Sequence, residues 1–211
     1  PGEVRIKDGE TIVINTIKSS DPNSSKKIIV RTLANNPETF LHIKADQDTY
    51  FDGIFTKSIS VIYNPKGNYT FTFASVAASE TVGTLDIQGG TFKFANEASF
   101  ANAESIIVRD SAVMDFTDSQ SANPVSENNI LNIRKGAKLK IPEGKELRVG
   151  KLLYKGVYLS PATYTSASCD WIEGGGSIVV TKNADAGVKT WANDNGGVWS
   201  ASSNWSPNGV P

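Results

Sequence analysis

One phrase recurs along this chain: apolar-x-apolar, a polar turn, then apolar-x-apolar again. It reads Val4-Arg5-Ile6-Lys7-Asp8-Gly9-Glu10-Thr11-Ile12-Val13-Ile14 near the start. It returns over Leu85 to Phe94, over Ile106 to Phe116 and over Leu131 to Ile141. Strict alternation turns one set of side chains toward a core and the other toward water. A single copy is too small to bury its apolar side, whereas copies stacked on one another bury a continuous core. The last three copies start at offsets of 21 and 25 residues, the length of one coil of a β-solenoid with insertions in its loops. An all-β fold follows, and a β-solenoid within it, specifically a right-handed parallel β-helix. An antiparallel sandwich also alternates, but it gives hairpins without self-similarity at a repeating offset.

Composition excludes several partners. The 211 residues carry 21 basic and 22 acidic side chains, a net charge of -1 with no basic stripe, so nucleic acid is not expected. No apolar run reaches membrane-spanning length, so membrane insertion is not expected. Cys169 is the sole cysteine, which rules out an intrachain disulfide and a cysteine-based zinc site. Nothing implies a cofactor.

Between the copies, the sequence predicts strands over 28–33, 39–43, 58–63 and 69–74, with Tyr69, Phe71 and Phe73 on one face. Residues 19–27, 46–53 and 117–129 read as polar loops. Asp8-Gly9 marks a hairpin or tight turn, because glycine takes a positive φ at low cost. The chain divides into a solenoid module over 1–181, a linker over 182–189 and a Trp-rich segment over 190–211.

The last third carries a recognisable series: Gly156, Ala162-Thr163-Tyr164-Thr165, Trp171-Ile172, Gly174, Gly176 and Ile178-Val179-Val180. It resembles the closing segment of bacterial autotransporter-type β-helix repeats. Thr190-Trp191, Gly197-Val198-Trp199, Asn204-Trp205 and Gly209-Val210-Pro211 resemble the opening of the next such repeat. The two motifs cover about a quarter of the chain; elsewhere the likeness is one of rung pattern only. The resemblance implies a repeat of a large modular protein, secreted or on the surface of a Gram-negative bacterium, with no shared catalytic residues. In that register the chain is one repeat of a longer polypeptide, running from one such Pro to the next.

Candidate sites are few. Trp191, Trp199 and Trp205 would form a stacking platform for sugar rings, with Asn204 bonding hydroxyls; the competing reading is a folding cluster of large apolar rings. Trp171 reads as core. Asp46, Asp48 and Asp52 offer oxygen ligands for Ca²⁺, but the spacing departs from the EF-hand pattern and a solvated turn is favoured. Asp110, Asp115 and Asp118 raise the question of paired-carboxylate hydrolysis. They fall at turn and polar-face positions, as do Arg109, Arg134 and Arg148. His42 alternates with Leu41 and Ile43 on a strand, and the sequence has no Gly-x-Ser-x-Gly elbow. Cys169 reads as packing beside Trp171.

The expectation is a non-enzymatic structural spacer. Its partners would be neighbouring repeats of the same polypeptide, other surface proteins or a polysaccharide. The alternatives are a carbohydrate-binding module attached to a polysaccharide-active enzyme, or a partial β-helix lyase or hydrolase. Open ends with unpaired strand edges would let copies stack end to end.

Overall fold

The repeated phrases lie directly on top of one another. In the computed structural model, which describes residues 3–7, 9–15, 17, 29–32, 39–56, 58–75, 83–183, 190–191 and 197–206, the chain winds as stacked parallel coils of an all-β solenoid. Its coils contribute, in order, β1 (Glu3–Ile6) and β2 (Thr11–Ile14), then β3 (Ile29–Thr32), β4 (Thr39–Ile43) and β5 (Thr49–Phe51). Next come β6 (Ile54–Thr56), β7 (Ile59–Tyr63) and β8 (Thr70–Phe73), followed by β9 (Thr84–Ile87), β10 (Thr91–Asn96), β11 (Ser105–Val108) and β12 (Val113–Ser119). β13 (Ile130–Ile133), β14 (Lys138–Lys140) and β15 (Glu146–Val149) lead to a closing segment. That segment holds β16 (Lys151–Tyr154), β17 (Val157–Tyr158), β18 (Ala162–Thr165), β19 (Ile172–Glu173) and β20 (Ser177–Val180).

Two long ladders and two short ones result. The longest runs β2-β4-β7-β9-β11-β13-β16, all parallel, and the second runs β5-β8-β10-β12-β14-β19. A short ladder of β1-β3-β6 flanks one end, and β15-β20 the other. The three clean copies pair residue for residue. Leu85, Ile106 and Leu131 are neighbours in one ladder, and Phe92, Met114 and Leu139 in the other. All six are buried and face the core.

The phrase at Val4–Ile14 is placed differently. Its first strand lies in the short ladder and its second in the longest, one face earlier than in the other copies. The corner is nonetheless the same. Glu10, Ala112 and Ala137 each donate their N–H to the carbonyl three residues back, on Lys7, Arg109 and Arg134, at 3.1, 3.0 and 3.2 Å. The third corner residue has a positive φ each time: Gly9 at 76°, Ser111 at 64° and Gly136 at 82°. The corner at Gly9 therefore turns the chain from one face to the next and makes no hairpin, because β1 and β2 pair with later strands.

The second ladder is packed with rings. Phe71 and Phe92 stack at 5.2 Å, and Phe94 and Phe116 at 4.8 Å with planes 18° apart. Phe51, Phe55, Phe73 and Phe100 join them, all fully buried. Rings one strand apart fall within the range at which offset-stacked aromatic pairs add stability beyond their buried area. Tyr69 does not share this face as Phe71 and Phe73 do. It precedes β8, and its carbonyl accepts the Tyr63 hydroxyl at 2.7 Å.

Two expected loops contain strand. Within 46–53, β5 carries buried Phe51 in register with Phe73. Within 117–129, β12 continues to Ser119 through a register shift against β10. In the first, the polar flank hides inward-facing Thr49 and Phe51, whereas in the second Thr117 and Asp118 stay exposed.

The two ends differ. At the C-terminal end β17 runs antiparallel to β16, and β18 antiparallel to β20, so the outer edges of these ladders are occupied. Trp171, 2% exposed, closes the core there against Tyr154 and Tyr164 at 5.5 and 6.4 Å. At the N-terminal end, no strand among the described residues precedes β1 and β2 in their ladders. Val4 sits in register with buried Val30 and Phe55 yet is 37% exposed. The expectation of open ends fails for the two ladders flanked by β17 and β18, because the closing segment folds back on itself, whereas β19 has no further neighbour among the described residues.

Candidate functional site

β21 (Thr190–Trp191) and β22 (Trp205–Ser206) pair antiparallel, opposing Trp191 and Trp205, with a 3-10 turn at Ser202–Asn204 between them. Trp199 is 64% exposed and Trp205 only 5%. Their centroids are 4.3 Å apart with planes at 81°, edge to face. The Trp205 indole N–H donates to the Trp199 carbonyl at 2.9 Å, and the Asn204 amide donates to the Val198 carbonyl at 2.9 Å. Asn204 is buried. Trp199 and Trp205 therefore make no coplanar pair, and the Asn204 amide proposed for sugar hydroxyls braces this turn, as does the Trp205 N–H. The side chain of Trp191 and residues 184–189 of the proposed linker over 182–189 lie outside the described residues.

The candidate Ca²⁺ ligands are not gathered. Asp46 faces Lys66 at 3.7 Å, Asp48 accepts the Thr70 N–H at 2.8 Å, and Asp52 is buried beyond β5. Among the described residues no three His, Cys, Asp or Glu side chains cluster as a metal site. The strand inserted between Asp48 and Asp52 separates them.

The other charged candidates serve the coils. Asp115 is buried, not solvated as its polar-face position suggests, and accepts the Thr117 N–H at 2.8 Å where β12 shifts register. Asp118 pairs with Lys93 at 2.6 Å, and Asp110 stays exposed. Arg109 grips Asp86 with two bonds of 2.8 and 2.9 Å; these hold its guanidinium above its ordinary pKa and tie β9 to the following corner. Arg148 reaches Glu127 and Glu146, and Arg134 is exposed at its corner. His42 stands on the outer side of the longest ladder. Desolvation, then Lys44, lower its pKa against the pull of Asp86, and its Nε2 is buried without a partner. Cys169 packs against the core cluster that contains Trp171.

One concavity among the described residues was not legible as a site. A cavity of about 660 Å³ opens on the outer side of the second ladder, lined by Tyr50, Thr72, Asn96, Asp118, Ser119 and Gln120 among others. Tyr50 is 41% exposed. Ser119 lines the cavity, and its hydroxyl is buried with no hydrogen-bond partner. A second hollow of about 260 Å³, bordered by Lys140, Pro142 and Glu173, shares Thr117 with it. The overhang exists because β10 and β12 run past their neighbours after the register shift at Lys93/Ala95. The alternation Thr49-Tyr50-Phe51 was the available signal, masked by the aspartates around it.

No family model, curated protein or solved structure matches this chain.

Proposed function

We propose that this chain is a rigid structural module, a spacer of a larger secreted or cell-surface bacterial protein, and that it performs no catalysis. The observation that carries this reading is the unbroken in-register ladder from Ile12 through Leu41, Val61, Leu85, Ile106 and Leu131 to Leu152. Each coil contacts its neighbours through backbone bonds and a shared core, so bending at any rung breaks both. The likeness of the 152–180 and 190–211 segments to autotransporter-type repeats supports a bacterial surface location, with adjoining repeats and other surface components as partners.

A spacer has no weak rung. Amide hydrogen exchange followed by mass spectrometry tests this directly. Strands β4, β7, β9, β11, β13 and β16 are expected to exchange at similar, slow rates set by whole-module opening. Exchange of β4 and β7 orders of magnitude faster than β11 and β13 would reveal a hinge and overturn the reading.

A further inference from the structure

Beyond its role as a spacer, we propose that the groove on the outer side of the second ladder binds a neutral linear polysaccharide. Tyr50, Thr72, Lys93, Asp115, Lys140 and Glu173 occupy consecutive places across the six strands of that ladder. Strands about 4.8 Å apart make this column about 24 Å long, directed along the solenoid axis. The two hollows lie on it and share Thr117. An elongated groove of polar groups at a short regular spacing suits a linear polymer whose hydroxyls recur at a similarly short repeat. The larger hollow, about 660 Å³, is also of ligand-site size.

The lining chemistry selects the polymer. Tyr50 offers an exposed ring on which the C–H face of a sugar stacks, with a hydroxyl at its tip. Thr72 and Gln120 add a hydroxyl and an amide that make no side-chain hydrogen bond among the described residues, and Ser119, also in the lining, carries a buried hydroxyl with no partner. Burying a hydroxyl without a partner is costly, and a small turn of Ser119 toward a sugar hydroxyl removes that cost. Charges are paired off along the groove: Lys93 meets Asp118 at 2.6 Å, Glu173 meets Lys138 at 4.0 Å and neighbours Lys140 in register, and the buried Asp115 carboxylate is taken up by Thr117. A polyanion would meet Asp118 and Glu173, and a polycation Lys93 and Lys140, so an uncharged chain fits best.

Affinity electrophoresis in gels containing soluble β-glucan, xylan, galactomannan, pectate or alginate tests the proposal. The wild-type chain is expected to be retarded by at least one of the three neutral polymers. Tyr50→Ala should weaken that retardation about tenfold, and Gln120→Ala severalfold, while Trp199→Ala leaves it unchanged. Thermal melting of each variant verifies folding; if Tyr50→Ala melts early, Gln120→Ala decides. Retardation by no neutral polymer, retardation by pectate or alginate alone, or loss in Trp199→Ala with retention in both groove variants would each overturn the proposal. None of these outcomes touches the exchange pattern that tests the spacer.

Discussion

Replacing Asn129 with alanine asks whether polar side chains at the corners, and not the ladders alone, fix how one coil sits on the next. Asn129 is fully buried. Its Oδ1 accepts the Ser126 N–H at 2.7 Å, and its amide donates to the carbonyls of Phe100 at 3.2 Å, Ala101 at 3.3 Å and Ala103, all one coil earlier. Two of these acceptors keep other partners: Phe100 O still receives the Ala103 N–H, and Ala101 O the Ser126 hydroxyl. Alanine therefore orphans the Ser126 N–H and the Ala103 carbonyl. At about 1–3 kcal/mol for each buried group left unpaired, the expected loss is about 2–6 kcal/mol. With a urea m-value of about 2.5 kcal/mol per molar, the midpoint falls by about 1–2.5 M, read by far-UV circular dichroism. Asn129→Asp sharpens the test. It keeps the acceptor for Ser126 but points a carboxylate at carbonyls, so it should be worse than alanine at neutral pH. Burial and those carbonyls raise its folded pKa, so the penalty eases as pH falls. A loss under about 0.5 kcal/mol for Asn129→Ala would refute the reasoning, since no orphaned pair costs so little.

Phe92→Ala removes a ring within 5.2–6.3 Å of Phe71, Phe73, Phe94, Phe100 and Tyr63, and should cost about 3–5 kcal/mol by calorimetry or urea titration. A loss below about 1.5 kcal/mol would mean the aromatic ladder collapses around the gap. Ser111→Gly should stabilise by about 0.5–1 kcal/mol because φ is 64°, whereas Gly90→Ala, with φ 59° and a Cβ driven against the Tyr69 carbonyl, should lower the melting temperature sharply. Melting curves of equal midpoint for the two would contradict the corner geometry. His42 has a lowered pKa in the fold, so the stability tied to its neutral form is complete above its ordinary 6.5 and is lost as pH falls through its folded value. His42→Gln should flatten the acid side of the stability profile, and an unchanged slope would remove His42 from that account.

The repeated phrase made the solenoid legible because alternation and coil length are backbone properties. Leu85, Ile106 and Leu131 align in the sequence and in space for the same reason. The copy at Val4 shows the limit: its corner chemistry is identical, but which face a corner serves depends on the coil before it. β5 was hidden because Asp46, Asp48 and Asp52 outweigh one inward phenylalanine in any local average. The burial of Asp115 was hidden because a register shift is a relation between two strands and leaves no mark on either. The tryptophans named at 190–211 were visible, yet their relative tilt rests on where the indole N–H finds a carbonyl. The groove was invisible because it is an overhang, produced by two strands outrunning their neighbours.

The folded-back end has a consequence for assembly. A parallel ladder presents unpaired N–H and C=O groups on its terminal strand, and identical modules joined through opposite faces of that kind grow into fibres. Here β17 and β18 lie antiparallel on the C-terminal side of two ladders, while β19 ends the second ladder among the described residues. A further coil arriving at that end would meet reversed strands on two faces, so it could not continue those parallel ladders in register. The seal that keeps Trp171 dry also interrupts the parallel stack.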